Sequence, residues 1–336
     1  MGLGTQRHPF DRLWVSGILD GKAYSEKSWR FAQSFDFQDE TSAFLLEGKP
    51  RISYVKRHQV EQQYDSRMLY GDGGIPYYLN FLDKSLSLAQ NIDRMFFAEA
   101  PLLEDEFSNL YHSLFKHAEE DILIIEALAK KKTGFTREEI MKLTKISDGG
   151  GLKRKLDELE QCGFIRKYKA TGSVAALYQL VDFFSLFYFH FLKNAQHFDT
   201  DNWIHLMGKP KYNTWCGLSF ERLCFAHLPQ IKQKLGISGV STKTYSFYSK
   251  DAQIDMVIER GDNVIDIFEM KYSGSPFAIT KKYSDELNNK ISTFRASVKK
   301  RMSIHLVVVT SDGLQQNEYA ASLVQNTILL DDLFCI

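Results

Sequence analysis

Two apolar segments separated by three polar residues constrain the fold of this chain more than any other feature. Residues 253–260 (QIDMVIER) and 264–271 (VIDIFEMK) are rich in Ile, Val, Met and Phe, and residues 261–263 (GDN) lie between them. Segments of this composition with such a break are typical of a β-hairpin. If all three central residues form the loop, Arg260 pairs with Val264, and this first pair sets the register of both strands.

Three charged residues are expected on one face of this hairpin. The same register sets Asp255 opposite Glu269, and Lys271 shares a face with Glu269 because side chains alternate along a strand. Directly opposed residues have Cβ atoms about 4.5–5.5 Å apart, which is close enough for two carboxylates to share a metal ion. A shift of the register by one residue would place the two acids on opposite faces.

Two carboxylates and a lysine in this arrangement are the groups that metal-dependent phosphodiester hydrolysis uses. The ion polarises a phosphate and activates water, while an ammonium stabilises the developing negative charge. We therefore consider Asp255, Glu269 and Lys271 candidate catalytic residues, with Mg²⁺ or Mn²⁺ as the cofactor. The alternative is an ordinary amphipathic hairpin whose acids and lysine lie on its solvated side.

The segment before the hairpin predicts a helix. Residues 215–237 (WCGLSFERLCFAHLPQIKQKLGI) have apolar side chains at helical spacing, with Glu221 at the start of the helix. The apolar face consists of Phe220, Leu223, Cys224 and Leu228. Because a helix that precedes the sheet can bring a third carboxylate to the same metal, Glu221 is a candidate ligand beside Asp255 and Glu269.

Taken together, these motifs resemble the C-terminal domain of archaeal-type AAA+ ATPases, a domain similar to the PD-(D/E)xK nuclease superfamily. The motifs are W-x-G-x-x-F-E-x-x-C in residues 215–224, Q-I-D ending at Asp255, and E-x-K at residues 269–271. Residues 73–97 resemble the segment that closes the ATPase module of that family and begins its helical lid. The resemblance covers roughly residues 70–336 and implies a nuclease-like α/β domain.

The chain departs from that family where its intact members bind ATP. Their nucleotide-binding module carries G-x-x-x-x-G-K-[ST], whose backbone amides cradle phosphates. Residues 21–23 (GKA), 48–50 (GKP) and 208–210 (GKP) fail this pattern. ATP is therefore implied for the intact family but not supported by this chain, and residues 1–69 are expected to be a divergent or truncated ATPase remnant.

Residues 118–182 predict a winged-helix domain. A first helix is expected over residues 121–132, and Thr136 followed by Glu139 is a capping-box signature that opens a second helix. A third helix begins near Leu152. The two wing strands are expected at residues 164–169 and 176–180.

Three basic residues lie at the start of the third helix. Lys153, Arg154 and Lys155 could reach phosphates there, so they are candidate nucleic-acid-binding residues. The alternative is that they form the solvated face of a protein-interaction module. Acidic residues on the same helix oppose contact with nucleic acid, namely Asp157, Glu158 and Glu160.

Composition fits a cytoplasmic protein with packed cores. The 336 residues are 44% hydrophobic and 13% aromatic, which is enough for two or three domains. Lys and Arg together number 42, and so do Asp and Glu, so the chain has no excess of positive charge. Any binding of nucleic acid must therefore use a local basic patch, and DNA is the nucleic acid that we expect. The four cysteines show no CxxC pairing, which argues against a zinc site or a disulfide framework.

Neither a secretory signal nor a membrane span is expected. The N-terminal residues are polar, and the most apolar stretch, residues 181–192, contains Asp182 and His190 and is shorter than the ~20 residues of a bilayer span. We interpret that stretch as a buried helix and His190 as a hydrogen-bonded core residue. Binding of a protein partner and formation of an oligomer are both left open.

The expected architecture combines α and α/β parts. The ATPase remnant at residues 1–69 and a helical lid at residues 70–117 come first, followed by the winged helix at residues 118–182 and the nuclease-like domain at residues 183–336. In this last part a helix is expected at residues 281–298 and strands at residues 304–310 and 327–330. Side chains of this helix that could face the cleft are Lys282, Tyr283 and Lys290, although exposure is the default for helix charges.

Overall fold

The structure is a computed structural model that describes residues 81–334 with the exception of residues 82, 84, 104, 148, 172–174, 196–202 and 299–300. The described residues divide into two compact units. The helical unit comprises residues 81–167 and 177–215, and the α/β unit comprises residues 168–176 and 216–334. The predicted ATPase remnant and the first residues of the predicted lid lie outside the described residues. The units do not follow the predicted boundaries after residues 117 and 182, and the four-part division stays a prediction.

The helical unit contains seven α-helices among its described residues and one small sheet. Its helices are α1 (Leu88–Ile92), α2 (Glu106–Leu114), α3 (Ala118–Ala129), α4 (Arg137–Thr144), α5 (Gly150–Gln161), α6 (Phe183–Phe187) and α7 (Trp203–Leu206), with π-helical turns at Asp93–Phe97 and Tyr188–Leu192. Strands β1 (Phe135–Thr136), β2 (Ile165–Tyr168) and β4 (Leu177–Leu180) form a sheet in the order β1-β4-β2, while β3 (Ala170–Thr171) belongs to the α/β unit.

Local signals explain the helices of residues 118–161. The Thr136 side chain accepts a hydrogen bond from the backbone N–H of Glu139, and the Glu139 carboxylate accepts one from the N–H of Thr136, which is the predicted capping box of α4. In α5 the buried residues are Leu152, Leu156 and Leu159, spaced so that they share one face. The three helices of this segment thus lie within about three residues of the positions that the sequence predicts, whereas the short strand β1 was not predicted.

The apolar stretch at residues 181–192 forms α6 and the π-helical turn that follows it. Asp182 caps α6 by accepting a hydrogen bond from the N–H of Ser185, and Ser185 is linked to Tyr111 over 2.7 Å between their hydroxyl oxygens. His190 Nε2 lies 3.1 Å from the carbonyl oxygen of Lys211. None of the helices described for the chain combines the length and the apolar character that crossing a membrane requires.

A mixed sheet of six strands organises the α/β unit. Its strands besides β3 are β5 (Thr242–Tyr248), β6 (Gln253–Arg260), β7 (Val264–Lys271), β8 (Ser303–Thr310) and β9 (Val324–Leu329), in the order β3-β5-β6-β7-β8-β9. Strand β6 is antiparallel to both of its neighbours, β5 and β7, while β8 and β9 continue parallel to β7. The helices are α8 (Pro210–Ala226), α9 (Leu228–Lys234), α10 (Lys281–Ser297) and α11 (Glu318–Leu323), with a 3₁₀ helix at Leu330–Phe334. The unit boundary falls within α8. The mixed α/β class expected from the sequence is confirmed.

The hairpin of β6 and β7 has the bounds that the sequence predicts. Met256 pairs with Phe268 and Glu259 with Ile265, so the register is the one expected for a three-residue loop. Asn263 closes the loop with a φ of 65°, a left-handed conformation that Asn tolerates better than most residues.

Helix α10 covers one face of the sheet. Thr280 caps it by accepting a hydrogen bond from the N–H of Tyr283, and it ends at Ser297, close to the predicted bounds. Leu287 and Phe294 of this helix belong to the same buried cluster as the core residues of the sheet. The strands contribute Phe247, Ile254, Val257, Ile265, Ile267, Leu306 and Val308 to that cluster.

The helix predicted before the hairpin is two helices. Helix α8 begins at Pro210, so Glu221 lies well inside it and not at its start, and Leu228 belongs to α9. Proline suits the first turn of a helix but cannot donate within it, which explains why Pro210 opens α8 and Pro229 lies in the first turn of α9. The predicted apolar face is otherwise present, since Phe220, Leu223 and Cys224 are fully buried.

Candidate active site

Glu269 is the centre of a group of charged and polar side chains on the face of the sheet that α10 covers. Its side chain is only 11% exposed. The ammonium of Lys271 lies 3.1 Å from Oε1, and the ammonium of Lys290 lies 2.8 Å from Oε2. The hydroxyl of Tyr283 also donates a hydrogen bond to Oε1. Both carboxylate oxygens of Glu269 are therefore engaged.

These partners keep Glu269 ionised. Burial alone would raise the pKa of Glu269, but the charges of Lys290 and Lys271, with the hydrogen bonds from Lys290 and Tyr283, outweigh burial and lower it. Burial, followed by the charge and hydrogen bond of Glu269, raises the pKa of Tyr283 well above its ordinary value. Tyr283 is therefore a neutral hydrogen-bond donor to a carboxylate.

Helix α10 supplies two of the three partners. Tyr283, Leu287, Lys290 and Phe294 recur at helical spacing and form the stripe that faces the sheet. The sequence shows this spacing, and it identified Tyr283 and Lys290 as residues that could face the cleft. Lys282 is exposed. Lys271 also lies over the Tyr283 ring, with its ammonium 4.9 Å from the ring centroid, an attractive cation–π geometry.

A β-bulge lies at the position of Asp255. Tyr245 pairs with Val257 and Phe247 with Ile254, so that Asp255 and one further residue of β6 stand opposite a single residue of β5. Ile254 and Val257 consequently both belong to the core cluster beneath α10, although strict alternation would place them on opposite faces. Bulges re-aim side chains and are frequent beside active sites.

The described contacts of Asp255 come from its neighbours in the sheet. Gln253 Nε2 donates to Asp255 Oδ1 over 2.7 Å, and the Ser246 hydroxyl donates to the Asp255 carbonyl oxygen over 2.6 Å. The last pair of the β6–β7 register is Met256 with Phe268, and one step further the register would set Asp255 opposite Glu269. Because of the bulge, this register alone does not fix the direction of the Asp255 side chain.

The third predicted carboxylate, Glu221, is half-buried on α8. Burial, reinforced by the charge of Glu221, raises the pKa of the Cys224 thiol well above its ordinary value. Among the described residues, no group of three or more His, Cys, Asp or Glu side chains is gathered closely enough to hold a metal ion. Ligation of a metal by Glu221, Asp255 and Glu269 together stays a prediction.

A second charged cluster, which the sequence did not suggest, surrounds Asp266 on β7. This carboxylate is fully buried, with Oδ2 3.4 Å from Arg260 and Oδ1 3.7 Å from Nδ1 of His305. Arg260 also pairs with Asp262. Burial raises the pKa of Asp266 despite the opposing charge of Arg260. Asp266 and Glu269 are three positions apart on β7 and therefore lie on opposite faces of the sheet, so this cluster is separate from the Glu269 group.

In the helical unit, the three predicted nucleic-acid-binding residues differ in environment. Lys153 and Arg154 are exposed on α5. Lys155 is only 12% exposed, and its ammonium lies 3.0 Å from Asp121 and 3.3 Å from Glu120 on α3. Contact of Lys155 with a phosphate would require this ion pair to break, whereas the other two side chains are accessible in the unit itself.

Comparisons with known proteins do not assign the chain to a family. No protein-family model and no curated protein matches it. Among solved structures, the restriction endonuclease FokI is 12% identical with a TM-score of 0.25, and the match covers 64% of this chain and 42% of that protein. Protein VC1899 from Vibrio cholerae is 12% identical with a TM-score of 0.23, covering 70% of this chain and 54% of that protein. The chain thus spans about half the length of these proteins, and TM-scores this low carry no argument about function.

Proposed function

We propose that the α/β unit is a metal-dependent nuclease that hydrolyses phosphodiester bonds in nucleic acid. The observation that carries this proposal is the environment of Glu269, a nearly buried carboxylate kept ionised beside Lys271 at the end of β7. If the register of the hairpin continues one pair beyond Met256 and Phe268, Asp255 would stand opposite it on β6. A carboxylate and a lysine side chain together at the end of a strand are the groups that the E-x-K motif predicts.

The donor set fits a magnesium or manganese ion. Mg²⁺ in proteins is often held by one or two carboxylates, with water and substrate phosphates completing its shell. Asp255 and Glu269 would be those carboxylates, and Glu221 would assist directly or through water. The ion, when bound, would polarise the phosphate and lower the pKa of a water molecule.

The other residues of the site would stabilise negative charge on the phosphate and hold the reacting side chains in position. The ammonium of Lys271 would orient the attacking water or stabilise negative charge on the phosphate. Glu269 holds that ammonium in place through its contact of 3.1 Å. Tyr283 lies against both residues and limits their freedom, because it donates to Glu269 and stacks beneath Lys271.

The same site also supports a second candidate function, a non-catalytic module that binds nucleic acid or a protein partner. The observation that favours it is the full occupation of the Glu269 oxygens by Lys271, Lys290 and Tyr283. A winged helix in the helical unit, with Lys153 and Arg154 accessible, would serve this function as well as the first. In either case binding or hydrolysis of ATP is not expected, because no segment of the sequence matches a phosphate loop.

A cleavage assay separates the two functions. Purified chain with Mg²⁺ or Mn²⁺ should cut single-stranded DNA, duplex DNA or RNA, and both Lys271→Ala and Glu269→Gln should reduce the rate by about 10²-fold or more. Lys282→Ala, which changes an exposed lysine of α10, should cleave like wild type. Nucleic-acid binding without cleavage would favour the binding module. Equal cleavage by wild type and both site variants would point to a contaminant and end the catalytic assignment.

A further inference from the structure

Lys290 occupies the side of Glu269 that faces away from Lys271. It is the described partner of Oε2, at 2.8 Å, while Lys271 and Tyr283 engage Oε1. A hard divalent cation such as Mg²⁺ approaches a carboxylate oxygen to about 2.0–2.1 Å. An ion on Oε2 would therefore lie within a few ångströms of the Lys290 ammonium.

Two cations so close in a partly buried place repel each other. The charge of a divalent ion doubles the Coulomb energy that two single charges would have, and the low exposure of Glu269 weakens screening by water. The carboxylate cannot stabilise both cations as well as it stabilises either alone. Binding of the ion should consequently require that the Lys290 ammonium leaves Oε2.

The structure of α10 allows this departure. Leu287 and Phe294, on either side of Lys290 in the stripe, are buried in the core, so the helix itself stays anchored. The Lys290 side chain is 29% exposed. Its four-carbon stem is flexible, and its ammonium can move into water without repacking the core.

We propose that Lys290 is a built-in competitor for the metal ion, a tethered cation that occupies Glu269 until a divalent ion displaces it. This inference rests on the proposed function, since it assumes that Glu269 is a metal ligand. It assigns Lys290 and Lys271 different roles: Lys290 leaves Oε2 when the ion binds, and Lys271 stays on Oε1. The Lys290 ammonium thus takes the position on Oε2 that the ion would occupy.

Binding of Mn²⁺ to the full chain tests the proposal directly, by titration calorimetry and by the loss of the free-ion signal in electron paramagnetic resonance. Lys290→Met keeps most of the apolar stem and removes the charge, so it should bind Mn²⁺ about tenfold more tightly than wild type or better. Lys290→Arg should bind like wild type, and so should Lys282→Met, the matched change of an exposed lysine on the same helix. Lys290→Gln serves as a second neutral variant, and thermal unfolding checks that each variant is folded.

The outcomes separate this inference from the function on which it rests. Equal affinity of wild type and Lys290→Met, with binding lost in Glu269→Gln, would overturn the competition and leave the metal site standing. Weaker binding by both neutral variants would also overturn it, because Lys290 would then hold Glu269 in position for the ion. No binding by any chain, the neutral variants included, would overturn both the competition and the metal-dependent function.

Discussion

Lys290 on α10 donates a hydrogen bond over 2.8 Å to Glu269 at the end of β7. The pair links a helix to the sheet by charge, next to the apolar contacts that Leu287 and Phe294 provide. It also explains in part why the pKa of Glu269 is lowered despite burial. Stability and the chemistry of the site therefore depend on the same carboxylate.

Glu269→Gln should remove a contribution to stability that depends on pH. Because the pKa of Glu269 is lower in the folded state than its ordinary value of 4.5, the ionised form stabilises the fold above that value, and the contribution is lost as pH falls through the folded pKa. The free energies of unfolding of wild type and variant should differ near neutral pH and converge in acid. Urea unfolding across this range measures the difference, with Glu286→Gln on the exposed side of α10 as the control. A difference that stays constant in acid would contradict the assignment.

Arg260→Met should destabilise the α/β unit strongly. Asp266 is fully buried and its charge is compensated by Arg260, 3.4 Å away, so the substitution leaves a buried carboxylate without this compensating charge. Breaking a buried ion pair from one side costs about 3 kcal/mol. Chemical unfolding should show this loss, whereas Arg301→Met, at an exposed arginine, should be nearly neutral. Adding Asp266→Asn to Arg260→Met should recover part of the stability, and no recovery would show that the arginine acts through packing.

His227 should make the α/β unit sensitive to mild acid. It is fully buried, its Nδ1 lies 3.1 Å from the Leu223 carbonyl oxygen, and its ring packs near that of Phe334. Burial lowers the pKa of His227 from 6.5 to about 4. The unfolded chain therefore takes up a proton first, and stability falls as pH falls from about 6.5 to about 4, by about 3 kcal/mol in total.

His227→Gln tests this dependence. The variant should lose less stability than wild type over the same pH range, because glutamine does not titrate. Urea unfolding at several pH values, with hydrogen exchange in β6 to β8 as the local probe, measures both slopes. Parallel curves for the two proteins would show that His227 is not the group responsible.

Lys153 and Arg154 should contribute to any binding of DNA by the helical unit, and Lys155 should not. Neutralising Lys153 and Arg154 together should weaken binding and reduce the slope of log affinity against log salt by about 1 for each phosphate that the protein no longer neutralises. Lys155→Gln should lower stability instead, because it leaves Asp121, which is 1% exposed, without its ion-pair partner. Fluorescence anisotropy at several salt concentrations distinguishes these effects. An unchanged salt slope in the double variant would exclude α5 as the contact surface.

The sequence alone determined the elements whose signals are local. The hairpin bounds follow from two β-branched segments and a loop that ends in Asn263. The capping box predicts α4, and apolar spacing predicts α5 and α10. Hydrogen bonds and side-chain contacts within a few residues produce these elements, so the partners all lie close together in the sequence.

The tertiary structure decided what each charged residue faces. The bulge at Asp255 depends on how β5 pairs with β6, and the burial of Lys155 depends on α3, more than thirty positions away in the sequence. Glu269 was identified from its motif, but its hydrogen bonds from Lys290 and Tyr283 form only when α10 packs on the sheet. Contacts between distant segments leave no periodic signal at the residue itself. The motif therefore indicates which carboxylate matters, and the packing of α10 determines which cation it holds.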